Sequence, residues 1–166
     1  MTQAEQRKSN LLSYITSVQV PGIKRFVAAD AFGPKNPAGI NFWLDADFKR
    51  LFLSKVEENV EPATIAVHRL KRPLRNSNII AELGPEKGVI RLAHFYELIK
   101  AQTNGETGPL LVKERVNIAC IESEIGDVRV VIASWDPFYR WWRISTFSVK
   151  WVEWSAGHQV LSRKPV

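Results

Sequence analysis

From Leu110 onward the chain consists of short apolar runs, PLLV, VNIACI, VRVVIAS and WWRISTFSV, with the turn sequences EIGD and WDPFYR between the last three. β-branched and aromatic runs of this length, bounded by Gly, Asp and Pro, read as the strands of an antiparallel meander. Gly126 with Asp127 permits one tight reversal, and Asp136 with Pro137 presets the next. Successive side chains of a strand point to opposite faces, so Val128, Val130 and Ile132 share one face and Arg129, Val131 and Ala133 the other. Both faces are largely apolar, which predicts helices against one and partial cover on the second.

Toward the N-terminus the spacing is helical. Leu11, Leu12, Ile15 and Val18 predict a helix within residues 4–18, stopped by Pro21 and Gly22. Ile23, Phe26 and Val27 fit a second short helix, with a strand as the alternative. Residues 33–39, rich in Gly and Pro, read as a loop. In NFWLDADFKRLFLSKVEENV, Leu44, Phe48, Leu51, Phe52 and Val56 recur at three- and four-residue steps. Asp45 or Asp47 can accept the free N–H groups of that helix's first turn. ATIAVHRL reads as a strand, and NIIAEL and VIRL as two strands around GPEKG. LAHFYELIKAQ reads as a helix with Leu92, Phe95, Tyr96, Leu98 and Ile99 on its apolar side, ended by Asn104 and Gly105. The expected fold is therefore one α+β domain over residues 1–166, with N-terminal helices packed on a C-terminal antiparallel β-meander.

At 166 residues, 45% of them hydrophobic, the chain can bury a core without a metal or disulfide staple. Its single cysteine, Cys120, has no internal partner, and residues 1–10 lack the apolar centre of a secretory signal, so the expected compartment is the cytoplasm. No apolar run approaches the ~20 residues of a membrane-spanning helix, so no membrane association is expected. A net charge of +6 suits a polyanionic partner.

Two clusters carry most of that suggestion. HRLKRPLRNSN holds His68, Arg69, Lys71, Arg72 and Arg75, enough cations to neutralise several phosphates, with Asn76 and Asn78 available for base or ribose contacts. The plain alternative is a solvated loop. The second cluster is Trp135, Tyr139, Trp141, Trp142, Trp151 and Trp154, interleaved with Arg140, Arg143 and Lys150. Aromatics on a sheet stack on bases while neighbouring cations hold phosphates, but the same residue types also build cores and protein interfaces. Adjacent Trp141 and Trp142 must point to opposite faces of a strand, which makes at least one of them core.

Catalytic and cofactor signals are weaker. His68 or His94 can act as a general base beside an arginine, with Glu82 or Glu122 as carboxylate, in the manner of a metal-independent ribonuclease. Nothing in the spacing brings these groups together. His94 sits beside Phe95 and Tyr96 and reads as a structural histidine, His158 as an exposed one, and Cys120 as inert packing on a strand. No metal is expected from one cysteine and three scattered histidines, and no cofactor from glycines that form neither GxGxxG nor a phosphate loop. In outline, the order of a helix, PLLV, VRVVIAS and YRWWR resembles ParB-like nuclease domains. Their phosphate-binding motif is missing here, and the resemblance implies no residue roles.

The functional expectation is a small basic non-enzymatic protein engaging nucleic acid through Arg69, Lys71, Arg72 and Arg75, with Arg140 and Arg143. Two alternatives stand beside it. One is a protein-interaction module or inhibitor, of the kind phages and plasmids encode, using Trp141, Trp142 and Trp154 as interface anchors. The other is the ribonuclease.

Overall fold

The computed structural model describes residues 11–150 and 153–164. Strands hold 42% of the described residues and helices 18%, so the described protein is mostly β, and the expected stack of N-terminal helices on a C-terminal meander is overturned. Strands run from end to end of the described residues, and the four short helices are interspersed among them. In chain order the elements are β1 (Leu12–Val20), β2 (Ile23–Val27), α1 (Ala28–Ala31), β3 (Phe42–Leu44), α2 (Ala46–Phe52), β4 (Val56–Val60), β5 (Ala63–Leu70) and β6 (Leu74–Arg75). They are followed by α3 (Asn76–Leu83), β7 (Val89–Ile90), α4 (Leu92–Lys100), β8 (Asn117–Glu122), β9 (Val128–Asp136), β10 (Trp141–Ser148), β11 (Glu153–Trp154) and β12 (Gln159–Arg163).

One mixed sheet dominates, in the order β1-β5-β12-β8-β9-β10-β3, with β7 also paired to β8. The expected meander is present as antiparallel β8-β9-β10. The last strand, β12, does not extend it. It inserts between β5 and β8, antiparallel to the first and parallel to the second. At the far edge β3 lies parallel to β10. Two small ladders, β2-β4 and β6-β11, stand apart from the main sheet.

The largest departure from expectation is β1. Its side chains pair with β5 in register except for a bulge between Tyr14 and Thr16. A bulge adds one residue and switches the alternation. Leu12 therefore joins the core on one face of the sheet, while Val18 packs into the core on the other. Leu12 and Val18 thus lie on opposite faces and Ile15, at the bulge, is exposed, so the three-residue spacing that reads as a helical stripe forms no stripe at all. The β-branched Ile15, Thr16, Val18 and Val20 meanwhile favour extended backbone. Residues 4–10 of the expected helix lie outside the described residues.

Other corrections have local causes. The expected helix around residues 41–60 is confined to α2, which Asp45 caps by accepting from the Phe48 backbone N–H at 2.6 Å, between strands β3 and β4. NIIAEL is helical, because Asn76, Ile79, Ile80 and Leu83 fall on one side at steps of three and four. PLLV forms no strand: the backbone of Leu110 and Leu111 bonds instead to the side-chain amides of Gln102 and Asn117.

The core lies on both faces of the sheet. On the first, Ile65, Val67, Ala119, Ile121, Val131, Ala133, Trp142, Ile144 and Leu161 meet the apolar sides of α1, α2 and α4. On the second, Ile118, Cys120, Val130 and Val160 pack under Ile79 of α3 and Leu74 of β6. α4 is anchored at its N-terminus by the buried carboxylate of Glu57 on β4, which accepts from the backbone N–H groups of Leu92 and Ala93 and pairs with Lys55 and Arg91. Among the described residues no helix is long and apolar enough to cross a membrane.

Candidate nucleic-acid interface

The β9-β10 hairpin and β3 build a surface of aromatic and cationic side chains. Strand alternation does the sorting. Trp142, Ile144 and Thr146 of β10 are buried on the first face, so Trp141, Arg143, Ser145 and Phe147 face the second. Among the described residues, the cover supplied by α3 and β6 reaches β8, β9 and β12 but stops short of β10 apart from Trp154 beside Phe147. Its second face is therefore open, and β3 continues the opening at the sheet's edge.

On that face the rings are ordered from the hairpin tip inward. Phe138, 83% exposed, meets Tyr139 edge-on, and Tyr139 stacks on Trp141 with ring centroids 4.7 Å apart and planes 17° from parallel. Arg143 pairs in register with Trp43 of β3, its guanidinium 4.5 Å from the centre of that indole. Phe147 is exposed and stands 6.4 Å from Trp154 of β11. From Trp141 to Phe147 is six residues of strand, a track of about 20 Å. The tip is held by Asp136, whose carboxylate accepts from the Phe138 and Tyr139 backbone N–H groups, with Arg140 in left-handed backbone at φ 57°. Neither Arg140 nor Arg143 takes part in an ion pair among the described residues.

The expected tryptophan anchors separate. Trp142 is fully buried and its indole N–H donates to the Gln102 carbonyl at 2.9 Å, so it is a core residue; its place as a surface anchor is corrected. Trp141 is half-buried on the open face, its indole N–H without a partner among the described residues. Trp154 is half-buried and donates to Asn76 Oδ1 at 2.7 Å, joining β11 to the start of α3.

The basic run separates too. Arg69 faces the first side of the sheet, where its guanidinium donates to Gln159 Oε1 at 3.0 Å and joins a buried amide network of Gln159 and Asn117. Lys71, Arg72 and Arg75 are exposed, and Arg75 lies on β6, across the ladder from Glu153 and one residue from the register partner of Trp154. Through Trp154 and Phe147, the end of the basic run and the aromatic face of β10 become neighbours. Trp43 is the member that sequence reasoning passed over. Its signal was faint: a single tryptophan ahead of a helix, a hundred residues from its partner Arg143.

His68 and the adjacent Arg69, named together for a ribonuclease, turn to opposite faces of the sheet. His68 sits on the second face, against Ser162 Oγ at 3.1 Å and Tyr14, while its neighbour Arg69 turns to the first. Burial pulls the His68 pKa below the usual histidine value. His94 is buried, bonded through Nε2 to the Glu61 carbonyl, and its pKa is likewise lowered, chiefly by burial. His158 is not the exposed side chain expected; its Nδ1 accepts from the Val116 N–H at 3.0 Å. Burial pushes the Cys120 thiol up to about 11, away from nucleophilic use. Among the described residues no group of three or more His, Cys, Asp or Glu side chains is placed to hold a metal ion. Comparison with known proteins finds no matching family model, no similar curated protein and no similar solved structure.

Proposed function

We propose that this protein is a non-enzymatic binder of single-stranded nucleic acid, and that the strand lies across the open face of β3 and β10 with its bases on Trp43, Tyr139, Trp141 and Phe147. The observation that carries the reading is the coexistence, on one sheet face, of exposed rings and Arg143, with Arg140 at the adjoining hairpin tip, neither arginine in an ion pair among the described residues. A duplex hides the faces of its bases, whereas a single strand offers each one for stacking. Arg143, its guanidinium 4.5 Å from the centre of the Trp43 indole, is available to a phosphate beside a stacked base. Arg140 at the hairpin tip extends the positive rim.

The test is binding of fluorescently labelled eight-nucleotide DNA and RNA across a salt series. Affinity is expected to fall as salt rises, with log–log slope of roughly −0.7 for each phosphate contacted. Trp43→Ala or Trp141→Ala is expected to weaken binding by about 5- to 150-fold, the range of one lost base stack. Arg143→Gln is expected to flatten the salt slope by about one phosphate equivalent. Absence of binding at low salt, or binding indifferent to all three substitutions, overturns the proposal and leaves the face to a protein partner.

A further inference from the structure

The first turn of α3 breaks the ordinary rules for starting a helix. A helix leaves its first backbone N–H groups without internal partners, and Ser, Thr, Asp or Asn usually accepts from them at the preceding position. Here that position is Arg75, no side chain caps the turn, and no acidic residue lies in it. Cations are disfavoured at this positive end of the helix dipole, yet Arg75 adjoins it and Arg72 lies three residues earlier. Neither arginine takes part in an ion pair among the described residues.

A second observation is independent of the helix end. Asn76, the first helical residue, is only 1% exposed, and its Oδ1 accepts from Trp154 Nε1. An indole N–H only donates, so the amide's orientation is settled: oxygen toward Trp154, nitrogen diverging from it. That nitrogen, Nδ2, is buried and has no hydrogen-bond partner among the described residues. Buried amide N–H groups without acceptors are costly and call for an explanation. One short segment thus gathers uncapped backbone N–H groups, an orphan amide and two arginines, while the Ser77 hydroxyl already donates to Asn78 Oδ1 at 3.3 Å. Donors dominate, and what they lack is an oxyanion.

We propose that the N-terminal turn of α3 is a subsite for one phosphate of the bound strand, with the backbone N–H groups of Ser77 and Asn78, Asn76 Nδ2 and the Arg72 and Arg75 guanidinium groups as donors. The inference rests on the nucleic-acid reading for the strand and deepens it: Trp154, bonded to Asn76 and next to Phe147, links the phosphate subsite to the stacking track. Phosphate here and bases there give the strand one direction of travel across the molecule.

The experiment is amide NMR of the full ¹⁵N-labelled chain, titrated first with inorganic phosphate and then with single-stranded oligonucleotide. Saturable shifts are expected at Ser77, Asn78 and the Asn76 side-chain amide, with phosphate and oligonucleotide competing for them. Ser77→Asp carries the decisive contrast. A carboxylate in the first turn suits the helix dipole, so the variant is expected to melt at or above the wild-type temperature. The same carboxylate occupies the site, so phosphate shifts vanish and oligonucleotide affinity drops about tenfold. Arg75→Gln, at an exposed position, is expected to weaken both ligands without changing the melt. Shifts scattered over all basic residues, a Ser77→Asp variant that binds as wild type, or phosphate binding that no oligonucleotide displaces would each overturn the subsite. Its fate is separable from that of the stacking face: phosphate shifts that persist while Trp141→Ala leaves oligonucleotide binding intact sink the stacking proposal alone.

Discussion

Trp141 and Trp142 are adjacent in the chain and opposite in environment, which makes them a direct test of how β10 is laid down. Trp142 is fully buried, meets Trp135 edge-on at 5.7 Å and donates its indole N–H to the Gln102 carbonyl. Trp142→Ala removes the largest fully buried side chain and leaves a cavity, a loss of about 3–5 kcal/mol. For a domain of this size that corresponds to a fall in melting temperature of roughly 6–20 °C. The Gln102 carbonyl still accepts from the Gly105 N–H, so no orphaned carbonyl adds to the loss. Trp141→Phe is expected to do the reverse of damage. It keeps a ring against Tyr139 and deletes a buried indole N–H that has no acceptor, so stability stays within about 0.5 kcal/mol of wild type or rises. Thermal unfolding by circular dichroism reads both, with oligonucleotide affinity measured in parallel. Trp142→Ala is expected to lower stability and Trp141→Ala affinity. Equal destabilisation by Trp142→Ala and Trp141→Phe, or a Trp142→Ala variant that melts as wild type, would refute the assignment of faces along β10.

Three further outcomes follow from the same geometry. Gly105 stands at φ +68°, and an added Cβ would lie 2.2 Å from the Trp135 ring, so Gly105→Ala is expected to lower stability by about 1–3 kcal/mol in urea denaturation. Cys120 should resist a thiol reagent at pH 8 until the protein is unfolded. Its folded pKa of about 11 exceeds the ordinary value of 9.0, so between those pH values the unfolded chain releases a proton that the folded one retains, and melting temperature should fall. Burial lowers the pKa of His68, His94 and His158, so below about pH 6.5 the unfolded chain binds protons first. Stability is therefore lost as pH falls from 7 to 5, and His68→Gln, which can keep a bond to Ser162, should make that decline shallower; an unchanged decline would remove His68 from the account.

Local chemistry was enough where one element answers to its own residues. The β8-β9-β10 meander follows from alternation and from Gly126, Asp127, Asp136 and Pro137, and α4 from its apolar spacing, and both are present. The opposition of Trp141 and Trp142 also follows from the period of a strand, without any knowledge of its neighbours. What that period leaves open is which of the two is inside. That depends on the ends of the sheet: Gln102 and α4 close over Trp142, while among the described residues the cover from α3 and β6 stops short of β10 apart from Trp154 beside Phe147. The strand at Leu12–Val20 was hidden because a bulge shifts its alternation, and the bulge exists only through pairing with β5. Trp43 beside Arg143, and β12 between β5 and β8, join residues far apart in the chain. The sequence by itself determined the turns, the meander and the supply of rings and cations. Tertiary structure alone decided which of them share a surface, because strand order and sheet coverage are set by contacts among distant segments, which no local period encodes.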